Sequence, residues 1–230
     1  MSTPFIYTIG DQHYSITPAN RPFDLLDAIS VLSDDPADAT GLHIWQGSLI
    51  LSNFLFENHS TYLSQQYNVL ELGCGLALPS FVVSHYVHNV VPTDGNPEVL
   101  DLISHNIKAN ANIQSNPIFP RFLCWNNESH INTLISEFGH FDCIIGADVA
   151  YDISTLQPLF ETAYKLLTVN GIFILSFITK EGPNSLLIKK IIQVRDSVGF
   201  ELVGDPIRHV TEPDVRGDCD CLIFVMKRKS

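Results

Sequence analysis

Asn68-Val69-Leu70-Glu71-Leu72-Gly73-Cys74-Gly75-Leu76-Ala77 is an apolar run that breaks into a glycine turn, with a carboxylate two residues before the first glycine. The run has the length and composition of a buried strand, and glycines after it let the backbone turn tightly and come close to a ligand. The dinucleotide fingerprint G-x-G-x-x-G needs glycine or alanine in its sixth place, but counting from Gly73 brings Leu78 there, followed by Pro79. A Walker loop needs a lysine that reaches phosphates, and no lysine occurs between Gly73 and Asn106. What remains is a Glu-Leu-Gly-Cys-Gly loop, expected to hold a nucleoside cofactor without a polyphosphate.

Strand-like and helix-like segments alternate downstream. Residues 78–86 read as a helix, and residues 88–94 as a second strand ending in Asp94. Asp94 lies about 20 residues beyond the first glycine, the offset at which an acid at a strand end accepts hydrogen bonds from ribose hydroxyls. Residues 98–112 carry helical periodicity through Val99, Leu102, Ile103 and Ile107. Further strands are expected at 119–124, 141–146, 172–178, 200–203 and 221–227, with helices at 155–167 and 185–198. The continuous apolar run Phe141-Asp142-Cys143-Ile144-Ile145-Gly146 suits a parallel sheet covered on both faces. The fold class is therefore α/β, a doubly wound, mostly parallel sheet, and such sheets bind ligands beyond the carboxyl ends of their strands. Gly73, Asp94, Trp125 and Asp148 all fall at such ends.

Residues 1–40 read as an N-terminal appendage and residues 41–230 as the main domain. Within the appendage, strands at 5–8 and 14–16 flank Gly10-Asp11 as a hairpin, and residues 22–32 form a helix stopped by Asp34-Asp35-Pro36. There are no internal repeats or low-complexity tracts.

With 230 residues and 45% hydrophobic content, the chain has enough material for one sizeable core. The N-terminal stretch has no basic segment followed by an apolar run, and no segment approaches the ~20 apolar residues of a bilayer crossing. Five cysteines without regular spacing point to reduced thiols and an intracellular setting, expected to be the cytoplasm with the nucleus left open. A net charge of −12 opposes docking on a phosphate backbone and better matches a basic protein surface. No nucleic-acid or membrane partner is expected, and the chain is expected to be a monomer. Cys219-Asp220-Cys221 with His209 and Asp214 lacks the spacing of a metal site. His85, His88, His105 and His130 have no nucleophile with them, so a hydrolase constellation is missing.

Three more segments stand near the glycine loop: Gly41-Leu42-His43-Ile44-Trp45-Gln46-Gly47-Ser48 before an apolar helix at 49–56, Phe122-Leu123-Cys124-Trp125 at the end of the third strand, and Gly146-Ala147-Asp148-Val149-Ala150-Tyr151-Asp152 after the fourth. Together with Glu71-Leu72-Gly73-Cys74-Gly75, the set resembles the class I S-adenosylmethionine-dependent methyltransferases, specifically the methyltransferase family-16 group of seven-strand protein-lysine methyltransferases. The resemblance runs from about Gly41 to the C-terminus and includes that group's Asp-x-x-Tyr tetrapeptide, Asp148 to Tyr151. It implies a seven-stranded sheet and S-adenosyl-L-methionine as methyl donor, with S-adenosyl-L-homocysteine as product. It also implies a protein substrate with an accessible basic side chain. Cofactor contacts would come from Trp45, Glu71, Gly73, Cys74, Gly75, Asp94, Trp125 and Ala147. Of these, Trp125 would lie against the adenine, Asp94 would hold the ribose, and the two glycines and Cys74 would line the methionine end. Asp148 and Tyr151 would be the catalytic pair, Asp148 drawing in the substrate ammonium and Tyr151 accepting a hydrogen bond or walling the lysine stem.

Ala77 stands where the common family form has a third glycine, a modest change if φ is negative there. Leu78-Pro79-Ser80 also looks like relatives that modify arginine. Arginine, histidine and small amines therefore stay open as acceptors, and a catalytically silent binding module is the reading of another class. Substrate discrimination is expected in the appendage and in residues 179–184.

Overall fold

The computed structural model describes residues 3–19, 39–179, 185–210 and 220–229. The helix expected at 22–32, most of the 179–184 loop, Asp214 and Cys219 lie outside the described residues.

The sequence alternation becomes a sheet of β3 (Asn68–Leu72), β4 (Asn89–Asp94), β5 (Arg121–Phe122), β6 (Phe141–Ala147), β7 (Leu167–Thr179), β8 (Phe200–Leu202), β9 (Ile207–Val210) and β10 (Asp220–Arg228). Neighbours run in the order β5-β4-β3-β6-β7-β10-β8. The five strands from β5 to β7 are mutually parallel, and β10 is antiparallel to both β7 and β8. This is the doubly wound, mostly parallel seven-strand order expected. The short β9, which the strand pattern of the sequence does not announce, adds to β10 at Asp220–Ile223.

Among the described residues six α-helices cover the two faces. Around α1 (Gln46–Tyr62), α2 (Leu78–Val83) and α3 (Pro97–Ala109), one apolar cluster takes Val69, Val90, Cys143, Ile145, Ile174 and Ile223 from the strands. The opposite cluster, around α4 (Glu128–Phe138), α5 (Leu156–Leu166) and α6 (Leu186–Val198), takes Leu70, Val91, Ile144, Phe173, Leu175 and Phe224. The split follows the period-two alternation of strand side chains, and each such side chain buried contributes about 1.5–3 kcal/mol.

α4, not among the expected helices, buries Ile131 and Leu134 and packs Ile135 and Phe138 beside them; its N-terminus is set by Asn127, whose side chain accepts from the amide of His130. The strand expected at 119–124 is paired only at Arg121–Phe122, with a lone bridge from Ile118 to Val90, because it is the sheet's outer edge.

The hairpin of β1 (Phe5–Ile9) and β2 (Gln12–Ile16) forms a separate two-stranded sheet, yet Ile9, Tyr14 and Ile16 are buried in the α1–α3 cluster. Two asparagines one helical turn apart, Asn106 in α3 and Asn110 at its C-cap, dock the hairpin's edge. Asn110 accepts from the Ser15 amide (2.8 Å) and donates to its carbonyl (2.8 Å), while Asn106 does the same for Thr17 (2.9 and 3.3 Å). The i, i+4 helical rise matches the i, i+2 strand repeat, so two side-chain amides act as the missing strand.

Candidate active site

A cavity of about 510 Å³ opens at the carboxyl ends of β3, β4, β6 and β7, within the ~300–1,000 Å³ range of small-molecule sites. It brings together Trp45, Gly73, Cys74, Gly75, Asp94, Trp125, Ala147, Asp148 and Tyr151 on one surface. Among the described residues lining it there is no lysine or arginine.

The turn after β3 is closed by backbone bonds: the Cys74 amide donates to the carbonyl of Thr93 (2.9 Å), and the Thr93 hydroxyl donates to the carbonyl of Glu71 (2.6 Å). Gly75 has φ +49°, and a Cβ there would sit 3.2 Å from the carbonyl oxygen of Gly41, so the segment before α1 rests directly on the glycine backbone. The Asp94 carboxylate accepts from the Gly75 amide (3.1 Å) through one oxygen and from the Asn96 amide (2.9 Å) through the other. It thus organises both loops while lining the cavity. A carboxylate has about four acceptor sites, which suits it to ribose hydroxyls as well.

Glu71 corrects the sequence reading. Its side chain does not line the cavity; it is 1% exposed and accepts from both the amide (3.1 Å) and the hydroxyl (2.5 Å) of Ser80 on α2. Strand parity puts Glu71 on the face of Val69, under α1–α3, where Ser80 at the first turn of α2 donates to its carboxyl group. Burial pushes its carboxyl up to about 8, with the Asp94 charge acting in the same direction and the two Ser80 bonds opposing. At neutral pH it is mostly a neutral acid holding the first turn of α2.

Ala77 is a second correction. Its φ is +62°, not negative, at the residue that precedes α2. The position has the left-handed backbone that makes glycine the usual choice.

Across the cavity, Asp148 also has a left-handed backbone, φ +54°. Its carboxylate accepts from the amide of Gly47 (2.7 Å) in the first turn of α1 and from the amide of Ile178 (3.1 Å) near the end of β7. Trp45, the residue before α1, makes no side-chain cap, and Asp148 supplies one from another strand, placing a negative group at the helix's positive end. A Cβ on Gly47 would fall 2.5 Å from the Asp148 carboxyl carbon, which explains the glycine after Trp45-Gln46. The sequence alone assigns this glycine no role. Tyr151, 46% exposed, stands three residues on at the cavity wall. Trp125 is half-buried beside Gly73, with its ring 3.3 Å from where a Cβ of that glycine would lie.

His43, Ser48, Asn96, Cys124 and Phe177 also line the cavity and were missed; none carries a motif of its own. Of the cysteine and histidine group near the C-terminus, Cys221 is buried in β10, and among the described residues no three His, Cys, Asp or Glu side chains cluster as metal ligands. Among the described residues no helix is long and apolar enough to cross a membrane. Chemically, the arrangement offers two indole rings, a backbone cradle, and two carboxylates able to receive hydroxyl or ammonium donors.

The profile of a family described as "Lysine methyltransferase" matches residues 27–193. Similar proteins include the protein-lysine N-methyltransferase EFM3 of Chaetomium thermophilum, 30% identical over 62% of this chain and 43% of that protein. Another is methyltransferase-like protein 23 of Dictyostelium discoideum, 35% identical over 60% of each. The chain spans about half the length of these curated relatives. Among solved structures, M. jannaschii TYW2 in complex with AdoMet matches with TM-score 0.60 at 11% identity, covering 100% of this chain and 88% of that one. SMU.776 complexed with SAH matches with TM-score 0.65 at 14% identity, covering 99% and 56%. At those identities the likeness is one of fold.

Proposed function

The chain belongs to the lysine methyltransferase family, and from that membership we propose that it transfers a methyl group from S-adenosyl-L-methionine to a lysine side chain of another protein. The observation that carries the reading is the meeting, at one cavity free of lysine and arginine among its described lining, of the glycine turn, Asp94, Trp125 and the Asp148–Tyr151 tetrapeptide.

The residues present suit the cofactor. Gly73, Cys74 and Gly75 would offer backbone to its methionine end, Asp94 would take its ribose hydroxyls, Trp125 would lie against its adenine, and Trp45 and Ala147 stand with them on the same cavity lining. When bound, the sulfonium supplies an electrophilic methyl for in-line displacement. The protein's task is then to orient the amine and exclude water. A lysine attacks as the neutral amine, although its ordinary pKa is about 10.4. The apolar walls of Val149 and Phe177 favour the neutral form, while Asp148 favours the charged form and draws it in. With two backbone amides already on its oxygens, Asp148 positions the ammonium, and the proton leaves to water. The net charge of −12 favours a basic region on the substrate protein.

Calorimetric titration with S-adenosyl-L-homocysteine, followed by radiolabelled methyl donor in extract from cells lacking the protein, tests the reading. The expected result is saturable binding and label recovered in methylated lysine of a protein band. Label in arginine or histidine changes the acceptor, and no affinity for the cofactor pair overturns the reading in favour of a silent binding module.

A further inference from the structure

Asp148 does not hold α1 alone. Its own amide donates to the carbonyl of Ser176 (2.9 Å), the residue opposite Ala147 in the β6–β7 ladder, and the Ser176 hydroxyl donates to the carbonyl of Gly47 (3.2 Å). The Asp148 carboxylate meanwhile takes the Gly47 amide at 2.7 Å. Gly47 is therefore gripped at its N–H by one residue and at its C=O by the other, and the two gripping residues are bonded to each other. Ser176 is 0% exposed, does not line the cavity, and lies on the α1 face of β7 next to Ile174. A hydroxyl in an otherwise apolar strand, Phe173-Ile174-Leu175-Ser176-Phe177, costs free energy unless it is bonded. Its bond goes to the helix that begins just after Trp45.

We propose that Ser176 is a positioning residue of this site, acting through Gly47 to fix the start of α1, and with it Trp45, over the cofactor cavity and the Asp148 carboxylate. The proposal rests on the methyl-transfer reading for its function, but its geometry is independent of it. Ser176 sets a peptide orientation: with the hydroxyl gone, the Gly47 carbonyl loses this donor, and Gly47 keeps its tie to the sheet through its N–H and the Asp148 carboxylate.

The chain has two tryptophans, Trp45 and Trp125, so Trp125→Phe leaves Trp45 as the only indole emitter. In that background, without cofactor, Ser176→Ala should make Trp45 emission more accessible to acrylamide while far-UV circular dichroism stays unchanged. In the otherwise native chain, Ser176→Ala should weaken S-adenosyl-L-homocysteine binding roughly threefold to tenfold, the scale of one buried hydrogen bond. Ser176→Thr separates positioning from packing. It restores the hydroxyl but adds a methyl in a fully buried place, so a positioning role predicts that it recovers Trp45 protection, and a packing role predicts that it is worse than alanine. Should Ser176→Ala not fold, Ser176→Cys, close in size with a weaker donor, carries the same comparison. Unchanged Trp45 quenching in the alanine variant, or threonine worse than alanine, overturns the proposal. If the native chain binds no S-adenosyl-L-homocysteine, the functional reading fails, while the quenching comparison still decides the clamp.

Discussion

On the wall carried by β3 and β4, Asp94 reaches the amide of Gly75, 19 residues before it in the chain; on the wall carried by β6 and β7, Asp148 reaches the amide of Gly47, 101 residues before it. Both acids stand at a strand end, both line the cavity, and both accept from two backbone amides. The hydrogen bonds of the first wall all lie within a single β-α-β unit, although Gly41 packs on its Gly75 from outside. The second exists only once α1 has docked on the finished sheet, because its ties run between β6, β7 and a helix that precedes the glycine strand. A contact between distant residues must overcome more loop-closure entropy than a local one. The wall that we propose receives the acceptor is thus the one that depends on the whole fold.

Asp148→Asn tests this difference at its strongest. The amide keeps the shape but replaces one acceptor oxygen with a donor that faces a backbone N–H. Hydrogen bonds to a charged group contribute about 1.5–3 kcal/mol. For a domain of this size, losing one lowers the melting temperature by roughly 5–10 °C, and methyl transfer should fall by at least about 100-fold as the amine loses its counter-charge. Asp94→Asn, whose ties are local, should lower cofactor affinity with a smaller fall in melting temperature. Equal thermal losses in the two variants, read by calorimetry, would erase the distinction between the walls.

Behind the local wall, Glu71 makes the next-largest expected effect one of pH. Its folded value of about 8 lies above the ordinary 4.5. Its contribution is therefore complete below about pH 4.5 and is lost as pH rises through about 8, with a slope of at most about 1.4 kcal/mol per pH unit. Between about pH 5.5 and 7.5 the native chain should lose on the order of 1–3 kcal/mol relative to Glu71→Gln, which has nothing to ionise there. Denaturant titrations of both chains at several pH values check it. Parallel stability profiles would mean that Glu71 is ionised and that the first turn of α2 is held by a charge.

The same contrast explains what the sequence could disclose. The glycine turn, Asp94 and the strand ends were readable because strand periodicity and a fixed offset of about 20 residues are local quantities. The face on which Glu71 lies is equally local: it stands between Leu70 and Leu72, so strand alternation alone puts it on the Val69 face, whereas the motif says only that an acid precedes the glycines. The roles of Gly47 and Ser176 were not legible, because each is defined by a partner more than a hundred residues away. By contrast, α4 was legible: Ile131, Leu134, Ile135 and Phe138 recur at i, i+3, i+4 and i+7, the spacing of one helix face.

The smallest expected effect compares two left-handed positions in the local wall, Gly75 at φ +49° and Ala77 at φ +62°. A non-glycine residue in that backbone region costs about 1–2 kcal/mol. At Ala77 the side chain is fully buried, and a buried methyl returns roughly 0.8 kcal/mol. Glycine there would also add about 0.4–1 kcal/mol of unfolded-chain entropy to be lost on folding. The terms nearly cancel, so Ala77→Gly should stay within about 1 kcal/mol of the native stability, with cofactor affinity essentially unchanged. Gly75→Ala meets the same backbone cost without the same room, since its Cβ would lie 3.2 Å from the Gly41 carbonyl oxygen. That contact would make the Gly41 carbonyl give by a few tenths of an ångström on top of the left-handed backbone cost, and S-adenosyl-L-homocysteine affinity should fall roughly tenfold. If Ala77→Gly instead stabilises the chain by 2 kcal/mol or more (about twice the expected bound), the alanine is strained without compensation, and the glycine turn tolerates its third position only because the rest of the local wall holds it there.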